Sequence, residues 1–248
     1  MEFTAPVWIF AGLVFVVAGL AKGVIGMGLP TIAMGLLSLV LAPAQAAAVL
    51  VVPSLVTNVW QLFAGASPIG LLRRLWSMMA GVVAGTLAGA GILAGSNAGL
   101  AVVALGVALV LYALVGLAGV KLVVARRHEV WLAPLVGATT GLVTGATGVF
   151  VLPAVPYLQA IGLARDELVQ ALGLSFTVST LALAAGLLRM EAFSPVSAGL
   201  SLLALAPALA GMWLGQGLRR LLDAATFRRV FFAGLFLLGL YLVFRGIA

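Results

Sequence analysis

One lysine, Lys22, lies inside a run of apolar residues, GLAKGVIGMGLP. An ionisable side chain within a membrane-length apolar run costs about 2.5–3.5 kcal/mol on insertion scales and marks a functional position by default. As a point charge, Lys22 attracts an anion; the alternatives are snorkelling or hydrogen bonding to carbonyls freed by a helix break. The six acids, Glu2, Glu129, Asp166, Glu167, Glu191 and Asp223, all fall in loops or at span ends, so none pairs with it in the apolar interior. The same placement argues against a carboxylate-lined cation pathway or an intramembrane proton relay. Downstream, Ser54, Thr57, Asn58 and Gln61 stand at i, i+3, i+4 and i+7, one polar stripe on an otherwise apolar helix. A second set follows at Ser175, Thr177, Ser179 and Thr180. Neutral hydroxyl and amide donors suit an oxyanion that must bind and then leave, while such residues also serve hydrogen bonding between helices. Asn58 and Gln61 are the stronger candidates for lining a site, because amides demand partners.

The elements that position these residues are membrane helices. The 248 residues are 64% hydrophobic and 8% charged, too few charges to cover a water-soluble domain of this size. Apolar runs of about 17–25 residues, enough to cross a hydrocarbon core of about 30 Å, recur along the whole chain. The net charge of +7 does not imply nucleic acid, since the basic residues lie in short loops where orientation signals belong. The chain has no cysteine, which excludes disulfides and Cys-ligated metals. No Ser/His/Asp set, zinc spacing or phosphate loop appears, so neither an enzyme nor a cofactor is expected. Met1–Ala21 lacks a basic leader and reads as part of the first membrane segment rather than a cleaved signal peptide. Trp8 and Trp131 read as interfacial residues, and His128 as a solvated loop residue.

The chain also repeats itself. Gly19, Gly23 and Gly26 recur as Gly141, Gly145 and Gly148 at a constant offset, and Pro30 is echoed by Pro153 one residue out of step. In each copy an apolar run is broken by glycines and restarts at a proline, the sequence pattern of a transporter with duplicated halves. The reading is an all-α polytopic membrane protein of two repeats, 1–124 and 131–248, joined by a cytoplasmic linker at 125–130. Each repeat holds one interrupted segment, Pro6–Leu41 or Trp131–Ile161, and three crossing helices. If each interrupted segment crossed once, the basic residues would divide seven against five. If each turns back, Arg73, Arg74, Lys121, Arg126, Arg127, Arg165, Arg219, Arg220, Arg228 and Arg229 share one side, and only Arg189 and Arg245 face the other. The second arrangement obeys the positive-inside rule far better. It makes the repeats inverted and places both termini outside the cytoplasm. Gly81, Gly85, Gly89, Gly211 and Gly215, small residues spaced by four, suit close helix packing, and most of the glycines read that way.

Two re-entrant hairpins from opposite faces would bring their glycine tips, Lys22–Gly28 and Thr144–Gly148, near the midplane. Helices restarting at Pro30 and Pro153 would aim free N–H groups at the breaks, a setting for an anion. The candidate substrate-binding residues are therefore Lys22, Gly23, Gly26, Gly28, Ser54, Thr57, Asn58, Gln61, Thr144, Gly145, Thr147, Gly148, Ser175 and Ser179. Asp166 and Glu167 read as residues favouring a helix N-terminus.

The stretch GLAKGVIGMGLPTIAMGLL with the PSLVTNVWQ helix, and its second copy GLVTGATGVFVLPAVPYLQAIGL with the ALGLSFTVSTLA helix, resembles the sulfite exporter TauE/SafE family over essentially the whole chain. The resemblance implies a multi-pass permease of the cell (inner) membrane that exports small sulfur-containing anions such as sulfite and sulfoacetate. Composition and spacing by themselves argue only for a small anion. Met27, Leu29, Val149 and Phe150 make these tips bulkier than the family's glycine-richer pattern. The expected partners are a small anionic substrate, the lipid bilayer and a possible second copy of the chain, with no nucleic acid. Competing readings are an anion channel, or a carrier of another small solute such as a metal or an amine; the lack of intramembrane carboxylate, His and Cys speaks against the last.

Overall fold

The computed structural model describes residues 5–65, 68–95, 98–119, 122–219 and 221–247. Lys121 and Arg220, both used in the charge count, and Glu2 lie outside them. The described residues form ten helices and no strand. Eight are long and apolar enough to cross a membrane: α1 (Ala5–Ile25), α3 (Pro43–Phe63), α4 (Pro68–Ala94), α5 (Ala98–Ala118), α6 (Arg126–Thr147), α8 (Arg165–Arg189), α9 (Pro195–Leu218) and α10 (Ala224–Ile247). The other two, α2 (Leu29–Leu37) and α7 (Ala154–Ala160), are too short to cross. Helix α6 begins at Arg126, so most of the stretch read as a linker is already its first turn.

The helix ends follow from local chemistry. Prolines occupy the first turns of α2, α3 and α9, where no amide hydrogen is needed. Ser194 caps α9 by accepting from the Ser197 amide, and Glu167 reaches back to the Ala164 amide at 3.0 Å. Asp223 accepts from the Thr226 hydroxyl and amide at the start of α10, which holds its pKa below the ordinary value.

The interrupted segments break later than the sequence suggests. Helix α1 continues through Lys22 and Gly23 to Ile25, and the chain leaves it at Gly26 (φ 79°) and Gly28 (φ 107°), backbone that only glycine adopts without strain. Helix α6 continues through Thr144 and Gly145 to Thr147 and ends at Gly148 (φ 71°). The tips are therefore Gly26–Gly28 and Gly148–Pro153. Pro153, which follows a cis peptide bond, precedes α7 rather than opening its first turn.

Glycines before the breaks stay helical because they serve close packing. Gly19 and Gly23 of α1 lie against Ala208, Met212 and Gln216 of α9, while Gly211 and Gly215 of α9 lie against Val16 and Leu20 of α1. Gly137, Gly141 and Gly145 of α6 interlock in the same way with Gly81, Gly85 and Gly89 of α4. At these positions an added Cβ would approach backbone atoms of the facing helix to 2.1–2.7 Å, so only hydrogen permits the contact.

Both pairs run parallel, since residue numbers rise together along each. Helix α3 instead runs antiparallel to α8, with Asn58 beside Thr180, Leu62 beside Gly173 and Gly65 beside Gln170. Helices α5 and α10 are likewise antiparallel, Gly106 meeting Gly239 and Gly116 meeting Phe232. Helices α1 and α3 point the same way: Val7–Gly12 lies level with Val49, Lys22 with Asn58, and Gly26 with Gln61. The chain between Gly26 and Leu41 must then turn back, with α2 descending beside α10 as Gly28 meets Phe231 and Gly35 meets Leu238.

Two arginines fasten the ends of the short helices. Arg74 donates to both Glu129 carboxylate oxygens, at 2.9 and 2.7 Å, and to the Ile161 carbonyl at the end of α7 at 2.9 Å. Arg245 donates to the Ser38 and Leu39 carbonyls beyond α2 at 3.2 and 2.7 Å. The Arg74–Glu129 pair is partly buried, so Arg74→Met strips the carboxylate of its donors and lowers stability by about 1–3 kcal/mol. The exposed neighbour variant Arg73→Met changes it little; thermal unfolding in detergent compares the two.

Candidate functional site

Lys22 is 4% exposed, one turn before the first break. Its ammonium donates to Asn58 Oδ1, its only hydrogen-bond partner among the described residues. Asn58 is fully buried and donates through Nδ2 to Thr180 Oγ1 at 3.4 Å; the Thr180 hydroxyl in turn donates to the Phe176 carbonyl at 2.7 Å. The offset between Asn58 and Thr180 is 122 residues, the offset that relates Gly19 to Gly141 and Gly23 to Gly145. Two positions separated by that offset therefore touch each other, with the lysine beside them. Among the described residues no acid hydrogen-bonds into this cluster, so the ammonium is solvated by an amide dipole and not neutralised.

The rest of the first polar stripe divides by role. Gln61 Nε2 donates to the Gly26 carbonyl, which the break frees, and to the Val169 carbonyl of α8, both at 3.1 Å. Thr57 donates within its own helix to the Pro53 carbonyl at 2.7 Å. Ser54, one turn before Asn58, is fully buried and its hydroxyl has no partner among the described residues. Ser175 and Ser179 of α8 are in the same condition. Thr144 donates to the Thr140 carbonyl at 2.7 Å, and Thr147 donates to the Val143 carbonyl at 2.6 Å while accepting from the Val149 amide at the second break. Thr57, Thr144 and Thr147 thus have their protons committed to their own helices.

The glycine tips meet different surroundings. A Cβ on Gly28 would touch the Phe231 ring at 2.9 Å, and Tyr112 donates to Met27 Sδ at 3.1 Å with its ring against Phe232. A Cβ on Gly148 would touch Met34 Sδ of α2 at 2.8 Å. Gly23 packs on α9 and Gly145 on α4. The first helix start lies against the Phe231 ring, and α7, which follows the second tip, is only seven residues long. What gathers at the centre is side chains, Lys22, Asn58 and Thr180. The Phe150 and Phe176 rings, 5.3 Å apart, join the second tip to the same turn of α8.

Thr180 was readable as part of the second polar stripe but not as a member of the centre. The repeat offset is the signal that finds it, since adding 122 to Asn58 gives Thr180. The Arg74–Glu129 clamp had no such signal, because its partners sit 55 residues apart on helices whose packing the sequence does not state. Two apolar grooves open on the molecule, one of about 320 Å³ between α1, α2 and α10 and one of about 70 Å³ between α1, α3 and α9. Lys22 and Asn58 line neither of these grooves, and both are buried.

No curated protein and no solved structure matches the chain. The family model described as Sulfite exporter TauE/SafE matches residues 11–242, which takes in both glycine breaks, both polar stripes, six of the eight long helices whole and most of α1 and α10. With that match spanning nearly its whole length, this multi-pass membrane protein belongs to the sulfite exporter TauE/SafE family of transporters.

Proposed function

We propose that the protein carries small sulfur oxyanions, sulfite or organosulfonates such as sulfoacetate, out of the cell by alternating access around Lys22. The observation that carries this reading is a buried ammonium whose only hydrogen-bond partner among the described residues is a neutral amide. Such a charge lacks a counter-ion, and a monovalent anion supplies one. At 4 Å and an effective dielectric near 20 the attraction is about 4 kcal/mol, which an amide dipole does not match. Buried hydroxyls at Ser54, Ser175 and Ser179 offer the further donors an oxyanion needs.

The two halves act as inverted repeats in this reading. In support, α3 and α8 are equivalent helices that run antiparallel and touch at the equivalent residues Asn58 and Thr180. The pairing of α1 with α9 is likewise echoed by that of α6 with α4. The end carrying Arg73, Arg74, Arg126, Arg127, Arg165, Arg219, Arg228 and Arg229 faces the cytoplasm of the cell membrane, which leaves both termini outside.

An inside-negative potential contributes about 2.3 kcal/mol per charge per 100 mV, roughly a fifty-fold concentration ratio, so a monovalent anion leaves without a coupling ion. Sulfite efflux from loaded proteoliposomes should accelerate when the lumen is made negative with a potassium gradient and valinomycin. A rate indifferent to potential overturns the uncoupled-carrier reading, and unitary currents in a planar bilayer replace it with a channel.

A further inference from the structure

We propose that the Asn58 amide oxygen is a built-in occupant of the anion site: it holds the Lys22 ammonium between transport events, and the entering anion must displace it. The inference rests on the reading of Lys22 as the anion centre and concerns what that centre does when empty.

The hydrogen-bond pattern fixes which way the amide points. The Thr180 hydroxyl commits its proton to the Phe176 carbonyl, so its oxygen faces Asn58 as an acceptor. Only Nδ2 of the amide can answer it, which leaves Oδ1 turned to the ammonium. Thr180 is thus a positioning residue for the occupant. A neutral acceptor shields the charge without cancelling it. An anion does both, whereas a neutral solute offers the ammonium nothing that the amide does not already give. The exchange therefore selects for charge before shape. It also explains the residue type: a carboxylate at position 58 would form a buried ion pair that no mobile anion could open, and a fully apolar residue would leave the ammonium unmet. Ser54, one turn away on the same face with an unpartnered buried hydroxyl, is placed to donate to the anion once the amide has yielded.

A resident occupant lowers apparent affinity by the fraction of time it blocks the site, so its removal tightens binding, the reverse of what ordinary damage does. The experiment measures the Kd for sulfite by calorimetry, and thermal unfolding, on purified full-length protein. Asn58→Ala should bind sulfite about tenfold tighter while melting at a lower temperature in sulfite-free buffer. Asn58→Asp should stay folded and bind at least about 100-fold more weakly. Thr180→Val should tighten binding a few-fold, and Thr180→Ser should restore the wild-type value. If Asn58→Ala does not fold, Asn58→Ser replaces it with the same expected sign. Unchanged or weaker binding by Asn58→Ala (or Asn58→Ser) and by Thr180→Val, with Lys22→Met unable to bind, overturns the occupant and leaves the anion centre standing. Undiminished binding by Lys22→Met instead overturns the anion centre itself.

Discussion

Lys22→Met yields a folded protein whose sulfite flux falls by about 100-fold or more. The size follows from leaving a bound anion without its one positive partner in a low-dielectric interior, where loss of one member of a buried charge pair costs about 3–5 kcal/mol. The fold survives because two changes offset each other. Removing a buried ammonium relieves desolvation, and the Asn58 oxygen then loses its donor at about 1–3 kcal/mol. Asn58 keeps its bond to Thr180, so the centre stays anchored. Lys22→Arg, which retains charge in a larger planar group, should keep a small part of the flux. Radiolabelled sulfite flux in proteoliposomes, with size-exclusion profiles as the check on folding, gives the comparison. Wild-type flux in Lys22→Met would remove the basis of the transport mechanism proposed here.

The second large effect concerns assembly. Gly85→Ala should destabilise the protein strongly, and Gly141→Val should prevent recovery of a monodisperse protein. A methyl group on Gly85 would sit 2.2 Å from the Ala138 carbonyl oxygen, and one on Gly141 2.3 Å from that of Val82. These are backbone atoms of the facing helix, so relief requires the helices to part along their length. Overpacking costs of about 1–3 kcal/mol are a lower guide when no side chain can turn aside. Gly91, on the same helix as Gly85, has nothing within 4 Å of its would-be Cβ. Gly91→Ala should be neutral or stabilising by up to about 1 kcal/mol, the gain in helix propensity. Melting curves that fail to separate Gly85→Ala from Gly91→Ala would contradict the close α4–α6 contact.

Much of this architecture is written in the chain. Hydropathy marks the long helices, because a bilayer demands about twenty apolar residues per crossing. The glycine spacing marks the tight contacts, although not which helices make them: Gly81 and Gly85 could have faced any neighbour. The place of each break was misjudged by a few residues. Lys22–Gly23 and Thr144–Gly145 look like the start of a loop, yet packing on α9 and α4 keeps them helical, and only Gly26, Gly28 and Gly148 take up positive φ. For the polar centre, the sequence supplies Lys22 and Asn58 separately. Their meeting depends on α1 and α3 lying parallel after the chain doubles back, a tertiary fact with no local signature. The sealing of the first tip by Tyr112, Phe231 and Phe232 was hidden for the same reason, since those rings arrive from α5 and α10.

The separation of Lys22 from Asn58 also bears on how the protein is made. The lysine's hydrogen-bond partner, Asn58, lies 36 residues further along the chain. At about 5–20 residues per second, translation leaves roughly 2–7 s between the two. During that interval the first helix enters the bilayer with its ammonium unanswered, carried in by the apolar residues around it. Until α3 emerges, the nascent segment has no reason to settle at its final depth, and its ammonium is drawn towards water and lipid phosphates at the interface. Membrane insertion of the first hairpin is therefore completed only by a helix that has not yet been synthesised when insertion begins.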